Sequence, residues 1–314
     1  MLKLATLAGH WGRLAPAAAG GAVYSYAWQF GTNDVDKTEK FDHSAGTWGA
    51  STTLTLTDYG TFYPTCVVGS ATHGYIKSTN STAGATSSVK FRYSDDSNQT
   101  GLTFTTHRGA AAGVQSSTVG YYMGGRRFMT TAATDVQKVT FATDALSAGS
   151  ALGTGRHFAG AAGTASVGIC AGGSNSDSTF AAITSTEKYT YSGDVRTAGT
   201  ALGTARGSMG AAGNATFGIF ALGQDVTYAS GTEIATSEKY TYSSDARAAG
   251  STFTTPRGGC AGAGDNTFGL FIGDTSSNQV AQKYTYSGDT VSTAASLTNY
   301  YKWPSMMCTT PGGL

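Results

Sequence analysis

The feature that most constrains this chain is an internal repeat. The hexapeptide Glu-Lys-Tyr-Thr-Tyr-Ser stands at residues 187–192 and again at 238–243, with a near copy at 282–287. Weaker copies read Glu39-Lys40-Phe41, Val89-Lys90-Phe91-Arg92-Tyr93-Ser94 and Gln137-Lys138-Val139-Thr140-Phe141. The lysines of the six copies (Lys40, Lys90, Lys138, Lys188, Lys239 and Lys283) are 50, 48, 50, 51 and 44 residues apart. A period near 50 that fills a chain marks an array of like units, each of which buries its apolar surface by stacking on its neighbours.

Within a copy, Lys-Tyr-Thr-Tyr puts Tyr189 and Tyr191 on one face and Lys188 and Thr190 on the other, the pattern of a half-buried strand. Ser192-Gly193-Asp194 then turns the chain through residues that tolerate positive φ or bond their own backbone. A second strand runs into Ala201-Leu202-Gly203-Thr204-Ala205-Arg206. The small-residue run Met209-Gly210-Ala211-Ala212, a Gly213-Asn214 turn and a strand over 216–221 follow. Four short strands per period, with no ten-residue amphipathic helical pattern, are the content of one β-propeller blade. The small runs at 160–163, 210–213 and 260–263 suit the innermost strand, which must be thin where blades converge on an axis.

Composition is consistent with such an array. The 314 residues include 44 glycines and 12% charged residues, against about 25% charge in ordinary domains. A net charge of +1 gives no electrostatic footprint for nucleic acid or an anionic membrane surface. With 40% hydrophobic and 11% aromatic residues the chain can bury a core. No run approaches the ~18 apolar residues of a membrane-spanning helix. Near the start Lys3 precedes several apolar residues, but His10 and Arg13 interrupt them, and we expect a chain that keeps Met1 and is made in a cytoplasm. Cys66, Cys170, Cys260 and Cys308 are widely spaced, which predicts buried free thiols and neither a metal site nor a disulfide framework.

Arg156, then Ala171-Gly172-Gly173, then Glu187-Lys188-Tyr189 resemble the kelch repeat, and residues 41–48, ending in Thr47-Trp48, resemble its Tyr-Asp…Thr-Trp segment. The resemblance covers nearly the whole chain. It departs from the family pattern where the glycine pair is reduced to Leu222-Gly223 and Ile272-Gly273, and where the tryptophan survives only at Trp48. Kelch-like propellers include protein-binding modules, an actin-binding class and a copper radical oxidase, so the resemblance implies a fold and not a role.

The expected architecture is all-β: a six-bladed, kelch-like β-propeller of four-stranded antiparallel blades, its ring closed by terminal strands. Residues 21–297 form the propeller, 1–20 an N-terminal arm or closing strand, and 298–314 a C-terminal closing strand or tail. Both ends offer an innermost strand, at 14–21 and 297–304, and only one can close the ring. The C-terminal strand is expected to pair beside 22–30. The surplus end is expected to dock on another subunit, with Trp11, Tyr300, Tyr301 and Trp303 as the docking aromatics.

Arg13, Arg108, Arg156, Arg206 and Arg257 each precede an innermost strand, which sets them on one face of a propeller. One reading is a partner-facing cationic ring for an acidic partner. The other is structural, each arginine bonding neighbouring loops or the repeat's Glu. Repetition favours the structural reading, because a functional site is local and not copied into every blade. His10, His43, His73, His107 and His157 are scattered, and Ser-Gly-Asp turns lack the dense acids of a calcium loop. Nucleophile-elbow, Walker-type and Rossmann patterns are absent from the strand–helix context they need. No enzyme activity, cofactor or metal is therefore expected. Variable connections at 174–185, 224–237 and 274–279 are where a repeated scaffold places recognition, with Tyr121, Tyr122 and Tyr228 as loop contacts.

These readings lead to an expected structural and interaction module: a virion component such as a bacteriophage tail, fibre or capsid-attached protein. It would be made in the host cytoplasm and assemble with other structural proteins in multiple copies. The alternative is a glycan-binding propeller, extracellular or on a bacterial surface, that recognises a cell-surface glycan. A copper-radical oxidase-like enzyme comes third. Neither nucleic acid nor membrane insertion is expected.

Overall fold

A computed structural model describes residues 26–30, 38–42, 45–51, 66–77, 86, 88–106, 109–127, 131–176, 178–226, 231–273, 279–298 and 305–308. Every regular element among them is a β-strand. The strands form four-stranded antiparallel sheets arranged as a β-propeller.

Five blades are each cut from one contiguous stretch of chain. Blade I spans 66–100, blade II 112–149, blade III 160–199, blade IV 210–250 and blade V 261–293. Blade III shows the plan. Its inner strand Gly160–Gly163 pairs with Val167–Ala171, that strand with Thr186–Thr190, and that with the outer strand Val195–Gly199, all antiparallel. Blade II carries an added two-stranded hairpin, Arg126–Arg127 with Thr131–Ala132, between its second and third strands.

The expected count of six blades is corrected to five. Counting third strands counts copies of the Lys motif, whereas five sheets take all four strands from one stretch of chain. Among the described residues the first copy supplies Tyr26–Phe30, Thr38–Asp42 and Thr47–Ala50. The strand beside Tyr26–Phe30 is Ser305–Cys308, from the opposite end of the chain and just beyond the segment expected for it. This composite sheet has the inner strands of blades V and I on either side of Ser305–Cys308.

The core lies in layers between blades. Phe253, Phe271, Tyr284 and Tyr286 pack with Ile219 and Leu222 between blades IV and V; Val114, Tyr121 and Met123 pack with Cys170 and Tyr189 between blades II and III. A large apolar side chain buried this way contributes about 1.5–3 kcal/mol, against about 0–1 kcal/mol for an exposed ion pair. Face packing therefore dominates the adhesion of the blades. Cys66, Cys170 and Cys260 are buried free thiols, and burial pushes the Cys170 thiol up to about 11, which leaves it inert at neutral pH.

The inner strands are thin for the reason the small-residue runs suggest. A Cβ on Gly262 would sit 2.5 Å from the carbonyl oxygen of Ala211 in the neighbouring inner strand. Gly262→Ala is therefore expected to destabilise the fold by about 1–3 kcal/mol in chemical denaturation. Gly49→Ala, where a Cβ meets nothing within 4 Å, should unfold like the parent.

Candidate interaction face

An up-and-down blade places the connections between strands 2 and 3, and those from strand 4 to the next blade, at one end of the ring. The tight turns between strands 1 and 2 and between strands 3 and 4 lie at the other. The arginine positions and the variable loops therefore share one face.

In blade III, Arg156 is fully buried. Its guanidinium donates to the carbonyl oxygens of Gly172 (3.1 Å) and Ser185 (2.7 Å), to Ser185 Oγ (3.0 Å) and to Glu187 Oε1 (3.1 Å). Glu187 also accepts from the backbone N–H groups of Gly153 (3.1 Å) and Thr154 (2.9 Å), and pairs with Arg196 at 3.3 Å. One carboxylate thus grips the segment that crosses from the preceding blade. The Arg156 carbonyl accepts from the Gly125 N–H of that preceding blade at 2.8 Å, which ties the two together. Blade IV repeats the device. Arg206 donates to Leu222 O, Thr236 O, Thr236 Oγ1 and Glu238, while Glu238 accepts from Gly203 and Thr204 and pairs with Arg247 at 3.1 Å. Burial lowers the pKa of the Arg206 guanidinium and Glu238 raises it again; an arginine stays charged throughout.

Blades II and V use a second version. Gln137 and Gln282 stand in place of the glutamates, and each donates through Nε2 to a threonine hydroxyl of the crossing segment, Thr105 at 2.7 Å and Thr254 respectively. There the crossing segments read Phe-Thr-Thr instead of Leu-Gly-Thr, and Leu146 and Val291 occupy the register position of Arg196 and Arg247. Across blades II to V the acid and its second arginine are present together or absent together, whereas the composite sheet has Glu39 with Trp48 at the arginine's register position. Arg257 is buried and donates to Val280 O at 2.5 Å.

Arg156, Arg206 and Arg257 are therefore consumed by the architecture and present no charged collar to a partner. Arg13 and Arg108 lie outside the described residues, as do Trp11, Tyr228, Tyr300, Tyr301 and Trp303. Tyr121 and Tyr122 are not loop contacts. They lie on the strand Val119–Met123 and are 3% and 0% exposed, with the Tyr122 hydroxyl donating to Tyr75 O at 2.8 Å. A tyrosine pair looks loop-like in a glycine-rich sequence, but this one fills the layers on both faces of blade II. Burial pushes the Tyr121 hydroxyl up to about 12, with Asp194 adding to it.

What remains at the loop end is a continuous surface. Arg126 of the blade II hairpin lies over the Phe180 ring at 4.9 Å, Phe180 meets His157 edge-on at 5.9 Å, and Ala182 donates its N–H to Asp225 O at 2.8 Å. Loops of blades II, III and IV are thereby joined side by side, with Ser178, Thr179 and Ala181 exposed on them. Among the described residues, Val195 is the one large hydrophobic side chain on the surface. It lies on the outer strand of blade III and away from these loops. The residues exposed on it are small and polar, with the charged Asp225 among them.

The opposite end holds a device that sequence reading used only as a marker. The repeat's lysine pairs with the aspartate that ends the turn of the next copy: Lys40 with Asp96, Lys90 with Asp144 and Lys138 with Asp194, each at 2.8 Å, and Lys239 with Asp289 at 3.4 Å. Lys188 instead donates to Tyr242 O at 3.0 Å. Each aspartate has a positive φ, between 49° and 57°, which this short polar residue tolerates. The signal was an Asp six residues after each Lys from the second copy onward.

Removing a buried rivet should be costly. Arg206→Met leaves Glu238 buried beside fewer donors and is expected to lose about 3–5 kcal/mol in thermal or denaturant unfolding, while Arg206→Met combined with Glu238→Gln should recover part of that loss. The clamp predicts an acid dependence. Burial raises the pKa of the Asp144 carboxyl, but hydrogen bonds from Lys90 and Tyr75 outweigh it and hold it below the usual carboxylate value. Its contribution is therefore fully present above about pH 4 and is lost as pH falls through the lowered value. The Tm difference between parent and Asp144→Asn should be constant near neutrality and shrink in acid.

No family model matches the chain, and no curated protein is significantly similar to it. The blades, their rivets and their loop face identify it as a β-propeller on structural grounds alone.

Proposed function

We propose that this chain is a non-enzymatic, kelch-like propeller that works as a structural interaction module, and that it is a component of a virus particle: a tail, fibre or capsid-attached protein bound to other structural proteins. The β-propeller fold suggests an interaction module. The observation that carries the proposal is the joined loop face of blades II–IV. Arg156, Arg206, Arg257, Tyr121 and Tyr122 are spent internally, so the residues exposed on these loops are small and polar, Asp225 among them, over a rigid base. Such a surface suits close shape-matched contact with another protein better than charge-driven capture of a small ligand. The low overall charge and the small polar composition point the same way. The glycan reading loses two of the three aromatic contacts it relied on, Tyr121 and Tyr122.

Quantitative mass spectrometry of purified particles from the source should find the chain in fixed ratio to other structural proteins through a density gradient. Recovery only in the free soluble fraction would remove the virion assignment. Thr179→Arg with Ala181→Arg, both on the loop face, should lower incorporation at least about ten-fold, a loss of ~1.4 kcal/mol, with Tm unchanged. Thr143→Arg, on the turn end, should leave incorporation as it was.

A further inference from the structure

The joint between blade V and the composite sheet lacks the turn aspartate that every later copy carries. At the position where the later copies carry the clamping aspartate, the first copy has Gly46, at φ 68°. Lys283, which would face it, lies over the Phe268 ring at 5.3 Å. The joint relies on an apolar layer of Phe41 with Leu270, Ile272 and Leu297, on Trp48 Nε1 donating to Ala295 O (2.9 Å), on Thr298 N donating to Glu39 Oε1 (3.1 Å) and on an edge-on contact of Phe41 with Phe268. The composite sheet is also the one sheet whose strands come from two ends of the chain. Ser305–Cys308 is held by a single ladder to Tyr26–Phe30 and by the inner strands of blades V and I.

We propose that the ring opens at this joint, and that the Ser305–Cys308 strand of a second copy docks on Tyr26–Phe30 there, giving strand-exchanged pairs. The occupant follows from register. The segment known to fit that edge, Ala27 opposite Cys308 through Phe30 opposite Ser305, is carried by every copy. Exchange between two copies remakes each ladder, so it opposes only the entropy of association and is favoured by concentration. The inference does not depend on the partner proposed above.

Gly46 makes the proposal testable. A Cβ there meets nothing within 4 Å, and the equivalent turns hold Asp at φ 49° to 57°. Gly46→Asp should complete the clamp with Lys283, while Gly46→Asn fills the position without charge. Ala27→Cys supplies a thiol opposite the natural Cys308. Protein held concentrated under mild destabilisation, then diluted and oxidised, should yield a covalent dimer on a non-reducing gel. The same variant oxidised first should remain monomeric. Gly46→Asp should lower the dimer yield about two- to five-fold relative to Gly46→Asn, the worth of one exposed pair. Native mass spectrometry of the chain without the added cysteine should show the same dimers and the same depletion. Dimer no greater than in an Ala27→Cys, Cys308→Ser control, or equal yields for Gly46→Asp and Gly46→Asn, would overturn the proposal.

Discussion

The buried guanidinium ahead of the inner strands of blades III, IV and V is the interaction on which the rest of the structure depends. A propeller must pass its chain from the outer edge of one blade to the axis of the next, and that crossing segment makes no ladder of its own. Arg156 and Arg206 supply what it lacks by donating to loop carbonyls, while Glu187 and Glu238 collect the segment's N–H groups. A buried charge is tolerated only when its donors are filled. Arg156 meets that condition with all three of its nitrogens, and Arg206 with its two terminal nitrogens, through carbonyls, a hydroxyl and a carboxylate. With the crossings held, the large aromatic side chains can settle between the blades.

Two ends of the ring follow from this. At the loop end, the rivets lock the bases of the variable connections and leave Ser178, Thr179 and Ala181 exposed. At the turn end, lysine–aspartate clamps join the composite sheet to blade I, I to II, II to III and IV to V, while Lys188 reaches a carbonyl between III and IV. Gly46 leaves the joint at the sheet both ends of the chain share without the aspartate itself.

Much of the candidate site was legible in part. The spacing of Arg156, Arg206 and Arg257 located them correctly on one face, and the repeat itself argued for a structural use. Their burial was not readable, because it depends on which carbonyls converge on them from loops some 16–30 residues away. The pairing of Glu with a second arginine, and of Gln with Leu or Val, is visible in the residues once the register is known. Tyr121 and Tyr122 were misplaced for a related reason. Adjacent tyrosines point to opposite faces of a strand, and both faces of a middle strand in a propeller are covered by neighbouring blades.

By itself the sequence determined the unit. Polar–aromatic alternation, Asp-terminated turns and small-residue runs are local, and they specify a four-stranded blade because strand period and turn chemistry depend on nearby residues alone. Tertiary structure decided what repetition leaves open. Six copies of a motif do not reveal that the first is paired with a strand supplied from the far end of the chain. Nor does an Asp six residues after a Lys show that the pair forms between copies, at separations of 50 to 56 residues. The strand and its turn carry the two side chains apart, and only the packing of one blade against the next brings a lysine to an aspartate.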